Sequence, residues 1–203
     1  SIVGTGFYVP DRIMTNFDLE KVVDTTDDWI RTRTGITERR IVKDSEATSD
    51  LAIKAGAIAL KKAGITSKEI DLLIIATQSP DYPLPSTACV TQHRLGLTNA
   101  VCFDISAACS GSIYALIVAA SLMKTCNYNT AMIIGTDVLS KSVDWSDRNT
   151  CVLFGDGAGA MVLKMNIKGR NLLSFDWGTD GSGVDLLKIP AGGSRSPILS
   201  SNL

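Results

Sequence analysis

The sequence predicts an α/β layer architecture with a largely parallel sheet and helices on both faces. Short, almost wholly apolar runs, clearest in Asp71-Leu-Leu-Ile-Ile-Ala-Thr77 and at 131–136, have the length and composition of strands buried on both sides. Between them lie stretches with apolar residues at helical spacing, two of them closed by a glycine, and strands that alternate with helices imply parallel pairing through crossovers. At 203 residues and 45% hydrophobic content, the chain can bury one large core or two small ones.

Ser1 to Phe7 reads as a first strand ending in small residues. Asp18 to Ile30 is polar and amphipathic, carries Trp29, and is expected to be a surface insertion. A helix is predicted over Ala47 to Ala63, with Thr48 or Ser49 as its cap and Gly64 as its stop. Asp71 to Thr77 gives a strand, followed by the turn-rich Ser79-Pro-Asp-Tyr-Pro-Leu-Pro-Ser86 and a second helix from Ser86 to Leu95 that ends at Gly96. Ala100 to Ile105 forms another strand, Ser112 to Lys124 another helix, and Ala131 to Thr136 and Gly159 to Met165 two further strands. From Gly178 onward the sequence is glycine- and serine-rich without periodicity, so the expected division is a folded unit over 1–177 and a loop-like segment over 178–203.

A net charge of -1 and an isoelectric point near 5.8 argue against a nucleic-acid partner. The longest uncharged run, Ile105 to Met123, contains four serines and a glycine, which describes a buried helix better than a membrane span. No basic, apolar leader opens the sequence, and five cysteines without CxxC or Cys/His ligand spacing argue against disulfides and a metal site. Reduced thiols in a cytoplasm are the expectation.

The chemistry concentrates in Phe103-Asp-Ile-Ser-Ala-Ala-Cys-Ser-Gly-Ser112, where a buried strand gives way to a helix through very small residues. Small neighbours let a substrate approach Cys109, and the start of a helix offers unpaired N–H groups and a positive dipole end that favour thiolate and a developing oxyanion. The residues alone leave two readings open, this nucleophile and a small buried hydrophobe. Cys89, Cys102, Cys126 and Cys151 lack that setting and read as structural. The only histidine, His93, lies between Gln92 and Arg94, where a solvated or capping role is the better reading. Gly4-Thr-Gly6 and Phe154-Gly-Asp-Gly-Ala-Gly159 lack the full spacing of a nucleotide loop, so tight packing or turns account for them better. Five basic residues between Arg31 and Lys43, against the single acid Glu38, form either a phosphate-holding patch beside Trp29 or a solvated loop. Arg148, in the polar stretch Ser146-Asp-Arg-Asn-Thr150, is equally open.

Gly4-Thr-Gly-Phe-Tyr-Val-Pro10, Asp27-Asp-Trp-Ile-Arg-Thr-Arg-Thr-Gly-Ile36, Phe103-Asp-Ile-Ser-Ala-Ala-Cys-Ser-Gly111 and Phe154-Gly-Asp-Gly-Ala-Gly-Ala160 together resemble the β-ketoacyl-acyl-carrier-protein synthase III family of the thiolase superfamily. The resemblance implies the N-terminal half of a layered αβαβα thiolase-like fold. It implies Cys109 as the residue acylated by acetyl-CoA or another short acyl-CoA. It further implies Trp29 and Arg148 as two sides of a sandwich around the CoA adenine, with Thr25 and Arg33 near its base and phosphates. Asn149 stands where the family often has glycine. Leu84 matches a position that reaches into the partner subunit's acyl pocket, which implies a homodimer. No cofactor is expected beyond the CoA thioester that serves as substrate.

The second substrate implied is malonyl-acyl carrier protein, which loses carbon dioxide and attacks the thioester. The family's histidine and asparagine for that step come from a C-terminal half that this sequence does not show, and His93 does not match the histidine motif. Two rival expectations remain: another thiolase-superfamily synthase with a different second substrate, of the hydroxymethylglutaryl-CoA or secondary-metabolite kind, and a non-catalytic CoA- or carrier-binding half-domain.

Overall fold

In the computed structural model, which describes residues 1–165 and 172–198, the chain divides into two compact units, Ser1–Leu173 and Ser174–Leu203. The first contains β1 (Ile2–Tyr8), β2 (Arg12–Thr15), α1 (Asn16–Leu19), α2 (Asp27–Thr34), β3 (Glu38–Ile41), α3 (Thr48–Ala63), β4 (Leu72–Ala76), α4 (Thr87–Leu95), β5 (Val101–Ile105), α5 (Gly111–Thr125), β6 (Thr130–Val138) and β7 (Asp156–Lys164). The second holds a 3-10 turn at Gly181–Gly183 and an edge-to-face contact between Phe175 and Trp177, with ring centroids 6.0 Å apart. Residues 199–203 of the loop-like segment lie outside the described residues.

The central sheet has the order β1-β7-β6-β4-β5. Strands β6, β4 and β5 pair in parallel, whereas β7 pairs antiparallel with both β6 and β1, so β7 alone runs against the other four. Every residue of β4 is buried. Leu73 and Ile75 face the core shared with α3 and α4, and Leu72 and Ile74 face the core shared with α5. Two covered faces at a side-chain period of two explain why the strand reads as an unbroken apolar run. On the outer side, β1 lies against α3 almost backbone to backbone. A Cβ on Gly6 would stand 2.2 Å from the carbonyl oxygen of Ala55, an approach that only a residue without a side chain permits.

Four expectations need correction. Helix α3 is capped neither by Thr48 nor by Ser49: its cap is Ala47, whose N–H donates to the Asp50 carboxylate at 2.8 Å. Thr48 and Ser49 bond instead to Ser79 and Asp81, which anchors the loop after β4 and overrides a local capping signal. The 18–30 stretch is more than a surface insertion, because Leu19 and Ile30 are fully buried in a small separate core with Cys151 and Val152. Residues 38–41, within the basic stretch, form β3 and pair antiparallel with β2; strands this short, with polar side chains, carry no apolar run to reveal them. Strand β7 starts at Asp156 and not at Gly159, so the second glycine stretch is largely strand; of the two accounts given for it turns fail, while tight packing holds at Gly155, where a Cβ would stand 3.0 Å from that of Arg39.

Helix α5 departs from the expected buried helix. The segment 108–125 is long and apolar enough to cross a membrane by length and composition, yet only 28% of it is buried among the described residues. Gly111, Ala115, Ala119 and Met123, spaced four apart, are buried along one stripe and Ile117 is buried on the opposite side, while Ile113 is 54% exposed. An all-round apolar helix has no polar face to mark which residues are covered, so the sequence could not show which of them the described residues bury.

Candidate active site

Cys109 is presented where β5 leaves the sheet, at the carboxyl end of the parallel strands. Ser106 donates to Oε1 of Gln78 at 3.2 Å, which ties the chain after β5 to the loop after β4. That loop is itself gathered on the Asp137 carboxylate, which accepts from Thr77 Oγ1, from the N–H groups of Gln78 and Ser79, and from Ser79 Oγ at 2.7–3.1 Å. Ala108 takes a φ of 45°, in the left-handed region that a residue with a Cβ enters at a cost of about 1–3 kcal/mol. A 3-10 turn over Ala108–Ser110 then runs directly into α5. Gly111 lets the helix start close over the end of β4: a Cβ there would stand 3.0 Å from that of Ala76. The result is a sharp strand-to-helix turn with an exposed thiol at the positive end of α5.

The other four thiols, all read as structural, do not share one environment. Cys151 is buried and Cys102 partly buried, but Cys89 and Cys126 are exposed. Cys102 and Cys89 approach to 3.6 Å between sulfurs, and burial together with this neighbour pushes the Cys102 thiol up to about 11. Cys126 caps the carboxyl end of α5, the opposite pole to Cys109.

A second cluster forms around Trp29. The helix α2 that carries it is capped by Thr26, whose Oγ1 accepts the Trp29 N–H at 3.1 Å. The Arg33 guanidinium, one turn further on, lies 4.5 Å from the indole centroid, and that of Arg148 lies 4.3 Å from it. Arg148 is held by the 147–150 turn, where Asp147 accepts from the Asn149 N–H and the Thr150 hydroxyl; these bonds keep its carboxyl below the usual range. Thr25 is buried, and its hydroxyl has no hydrogen-bond partner among the described residues.

Thus Trp29, Arg33 and Arg148 are brought together as the sequence suggested, but not as an open sandwich. At 4.3 Å the guanidinium rests on the ring itself, and a base can enter between them only if Arg148 swings away. The rest of the basic stretch is dispersed. Arg39 is buried, Arg40 bonds to the Pro10 carbonyl and Glu38, and Arg31 pairs with Asp27. Asn149 and His93 are exposed, and Leu84 is 86% exposed in the loop after β4. Sequence reasoning missed Asn16, which is fully buried and joins this region to the sheet side; no apolar pattern flags a buried asparagine.

A mixed sheet of this order, helices on both faces and a cysteine on the turn from a parallel strand into an apolar helix define the class of thiolase-fold condensing proteins. Residues 103–181 match the family model described as 3-oxoacyl-acyl-carrier-protein synthase III. The chain is 53% identical over 97% of its length to the β-ketoacyl-acyl-carrier-protein synthase III of Caldanaerobacter subterraneus subsp. tengcongensis, and 54% identical over 90% to that of Geobacillus kaustophilus; it covers 59% of each. Among solved structures, the 3-oxoacyl-(acyl carrier protein) synthase III of Pseudomonas aeruginosa superposes with a TM-score of 0.89 at 39% identity, over 96% of this chain and 61% of that one. The chain belongs to the β-ketoacyl-acyl-carrier-protein synthase III family and spans about three fifths of the length of the curated relatives it matches.

Proposed function

We propose that this chain is the nucleophile-bearing part of an acyl-CoA-primed, decarboxylating condensing enzyme that starts fatty-acid synthesis. The observation that carries the reading is the exposed Cys109 on a strained strand-to-helix turn at the positive end of α5. In the first half-reaction the Cys109 thiolate attacks the thioester carbonyl of an acyl-CoA, the C–S bond to CoA breaks, and the CoA thiolate leaves with a proton taken from solvent. Malonyl-acyl carrier protein then loses carbon dioxide, and its enolate carbon displaces Cys109 from the acyl group, giving a 3-oxoacyl-acyl carrier protein and regenerating the thiolate.

The Trp29 cluster supports a nucleotide-bearing first substrate. An aromatic face suits a purine, two guanidiniums suit phosphates, and the Thr25 hydroxyl, buried without a partner among the described residues, is available to a polar atom of the ligand. Asn149, exposed next to Arg148 in the chain, and Leu84, exposed on its loop and proposed to enter a partner subunit's pocket, complete the proposed set. A homodimer in the cytoplasm is part of the same proposal.

The test uses the full-length enzyme and two acyl donors, acetyl-CoA and S-acetyl-N-acetylcysteamine, which lacks the nucleotide. Cys109→Ser should abolish acyl-enzyme from both, read by intact mass, because a serine hydroxyl is a far weaker nucleophile than a thiolate. Arg148→Ala and Trp29→Ala should each weaken loading from acetyl-CoA about two- to tenfold, less than a full cation–π contact of up to about 2 kcal/mol would give, because the free protein already spends it on the Arg148–Trp29 stack. Loading from the small donor should hardly change. Normal acylation of Cys109→Ser would remove the nucleophile, and equal losses with both donors would remove the nucleotide site.

A further inference from the structure

Arg39 is 5% exposed, and its hydrogen-bond partners among the described residues are all neutral: the Met14 carbonyl at 3.1 Å, Asn16 Oδ1 at 2.7 Å and the Val152 carbonyl at 3.4 Å. Its Nε finds no partner among the described residues. A buried cation without a counter-ion is expensive, and an apolar side chain of similar volume would fill the same space at less cost. What an apolar side chain cannot do is tie its own strand β3 to two other segments at once, residues 14–16 and the chain at Val152, which the planar fork does.

The segments are informative. Asn16, fully buried, turns its amide the other way, donating through Nδ2 to Asp27 Oδ1 at 2.9 Å and to the Ile36 carbonyl at 2.8 Å. Asp27 and Ile36 bracket α2, the helix that carries Trp29 and Arg33. Val152 closes the segment that carries Arg148 and Asn149. A continuous chain of bonds therefore runs from the start of α2 through Asn16 and Arg39 to the strand-side end of the Arg148 loop.

We propose that Asn16 and Arg39 are positioning residues: a buried latch that holds Trp29 and Arg148 at the spacing from which the pair admits the nucleotide of the acyl donor. The proposal rests on the nucleotide reading of the Trp29 cluster. Neither residue touches the substrate; they fix the two supports on which the touching residues stand. Burial lowers the Arg39 pKa from the ordinary arginine value, in keeping with a charge retained against its solvation cost.

The experiment compares, in the full-length enzyme, the acylation KM for acetyl-CoA with that for S-acetyl-N-acetylcysteamine in wild type, Arg39→Lys, Arg39→Met, Arg148→Ala and the double variant Arg39→Lys/Arg148→Ala. Arg39→Lys keeps the charge and loses the fork. The latch predicts a KM for acetyl-CoA raised about three- to tenfold, a KM for the small donor within about twofold of wild type, and a loss in the double variant well short of the product of the two single losses, because both act on one contact. Should the Arg39 variants not fold, Asn16→Asp reads the same ratio: it keeps the acceptor for Arg39 and sets a carboxylate against Asp27. An unchanged donor ratio, equal losses with both donors, or fully multiplicative losses with Arg148→Ala would overturn the latch. If Arg148→Ala itself fails to separate the donors, the nucleotide reading fails first and takes the latch with it.

Discussion

The five thiols give the residue scale its sharpest test. Cys109 and Cys126 are both exposed and stand at opposite ends of α5, so the helix favours negative charge beside the first and opposes it beside the second. Cys89 is exposed too, but accepts a hydrogen bond from Ser86 Oγ at 3.2 Å and one from Cys102. Brief iodoacetamide treatment near pH 7.5, followed by peptide mapping, should therefore label Cys109 first, with Cys151 and Cys102 last. Preferential labelling of Cys126 would remove the argument from the helix end. Cys102 has its own signature. With its thiol raised from 9.0 to about 11, its alkylation should stay slow until the pH approaches 11. Because the folded value lies above the unfolded one, its contribution to stability is full below about pH 9 and fades as the pH climbs toward 11. At this scale the candidate nucleophile was legible in the sequence, since small residues around one cysteine at a strand-to-helix junction are a local signal. The exposure of Cys89 and Cys126 was not, because accessibility depends on what packs above a residue.

Among the elements, those read correctly are those with one dominant local cause. Strand β4 is apolar throughout because both of its faces are covered, and α3 and α4 end at Gly64 and Gly96, which take the left-handed conformation with φ of 67° at each. Elements whose cause is tertiary were missed: β2 and β3 exist because they pair with each other, and the Ala47 cap works because Asp50 reaches back while Thr48 and Ser49 are drawn to the 79–81 loop. The contact of β1 with α3 is the most exacting junction. Gly6→Ala would press a methyl onto the carbonyl of Ala55 and the backbone of Ala59, atoms that cannot turn aside. The expected loss is about 1–3 kcal/mol, a drop in melting temperature of roughly 4–10 °C measured by calorimetry. An unchanged melting temperature would mean that β1 can slide away from α3 freely. Gly159→Ala, with nothing within 4 Å of its added Cβ, is the control and should lie much closer to wild type.

For the whole molecule, the match to three fifths of its relatives' length bears on activity. On the proposed reading Cys109 serves the first half-reaction, and the decarboxylation step calls for further hydrogen-bond donors; the one histidine, His93, is exposed on α4 and does not lie on the Cys109 turn. On that reading residues 1–203 alone should form no 3-oxoacyl product from acetyl-CoA and malonyl-acyl carrier protein, and the full-length enzyme should; loss of one such donor costs on the order of a hundredfold or more in rate. Product found with residues 1–203 alone would refute this. The sequence by itself determined the α/β class, the strand-helix alternation, the glycine stops and the small-residue setting of Cys109, because each follows from propensity or periodicity within a few neighbouring residues. Only the tertiary structure decided that β7 runs against the other strands, that Arg39 is buried with only neutral hydrogen-bond partners among the described residues, that Arg148 rests on Trp29 in place of leaving a slot, and which residues of α5 are buried. Those outcomes depend on which distant segments meet, and contacts such as Trp29 with Arg148 or Arg39 with Val152 join residues more than a hundred positions apart, beyond the reach of any local pattern.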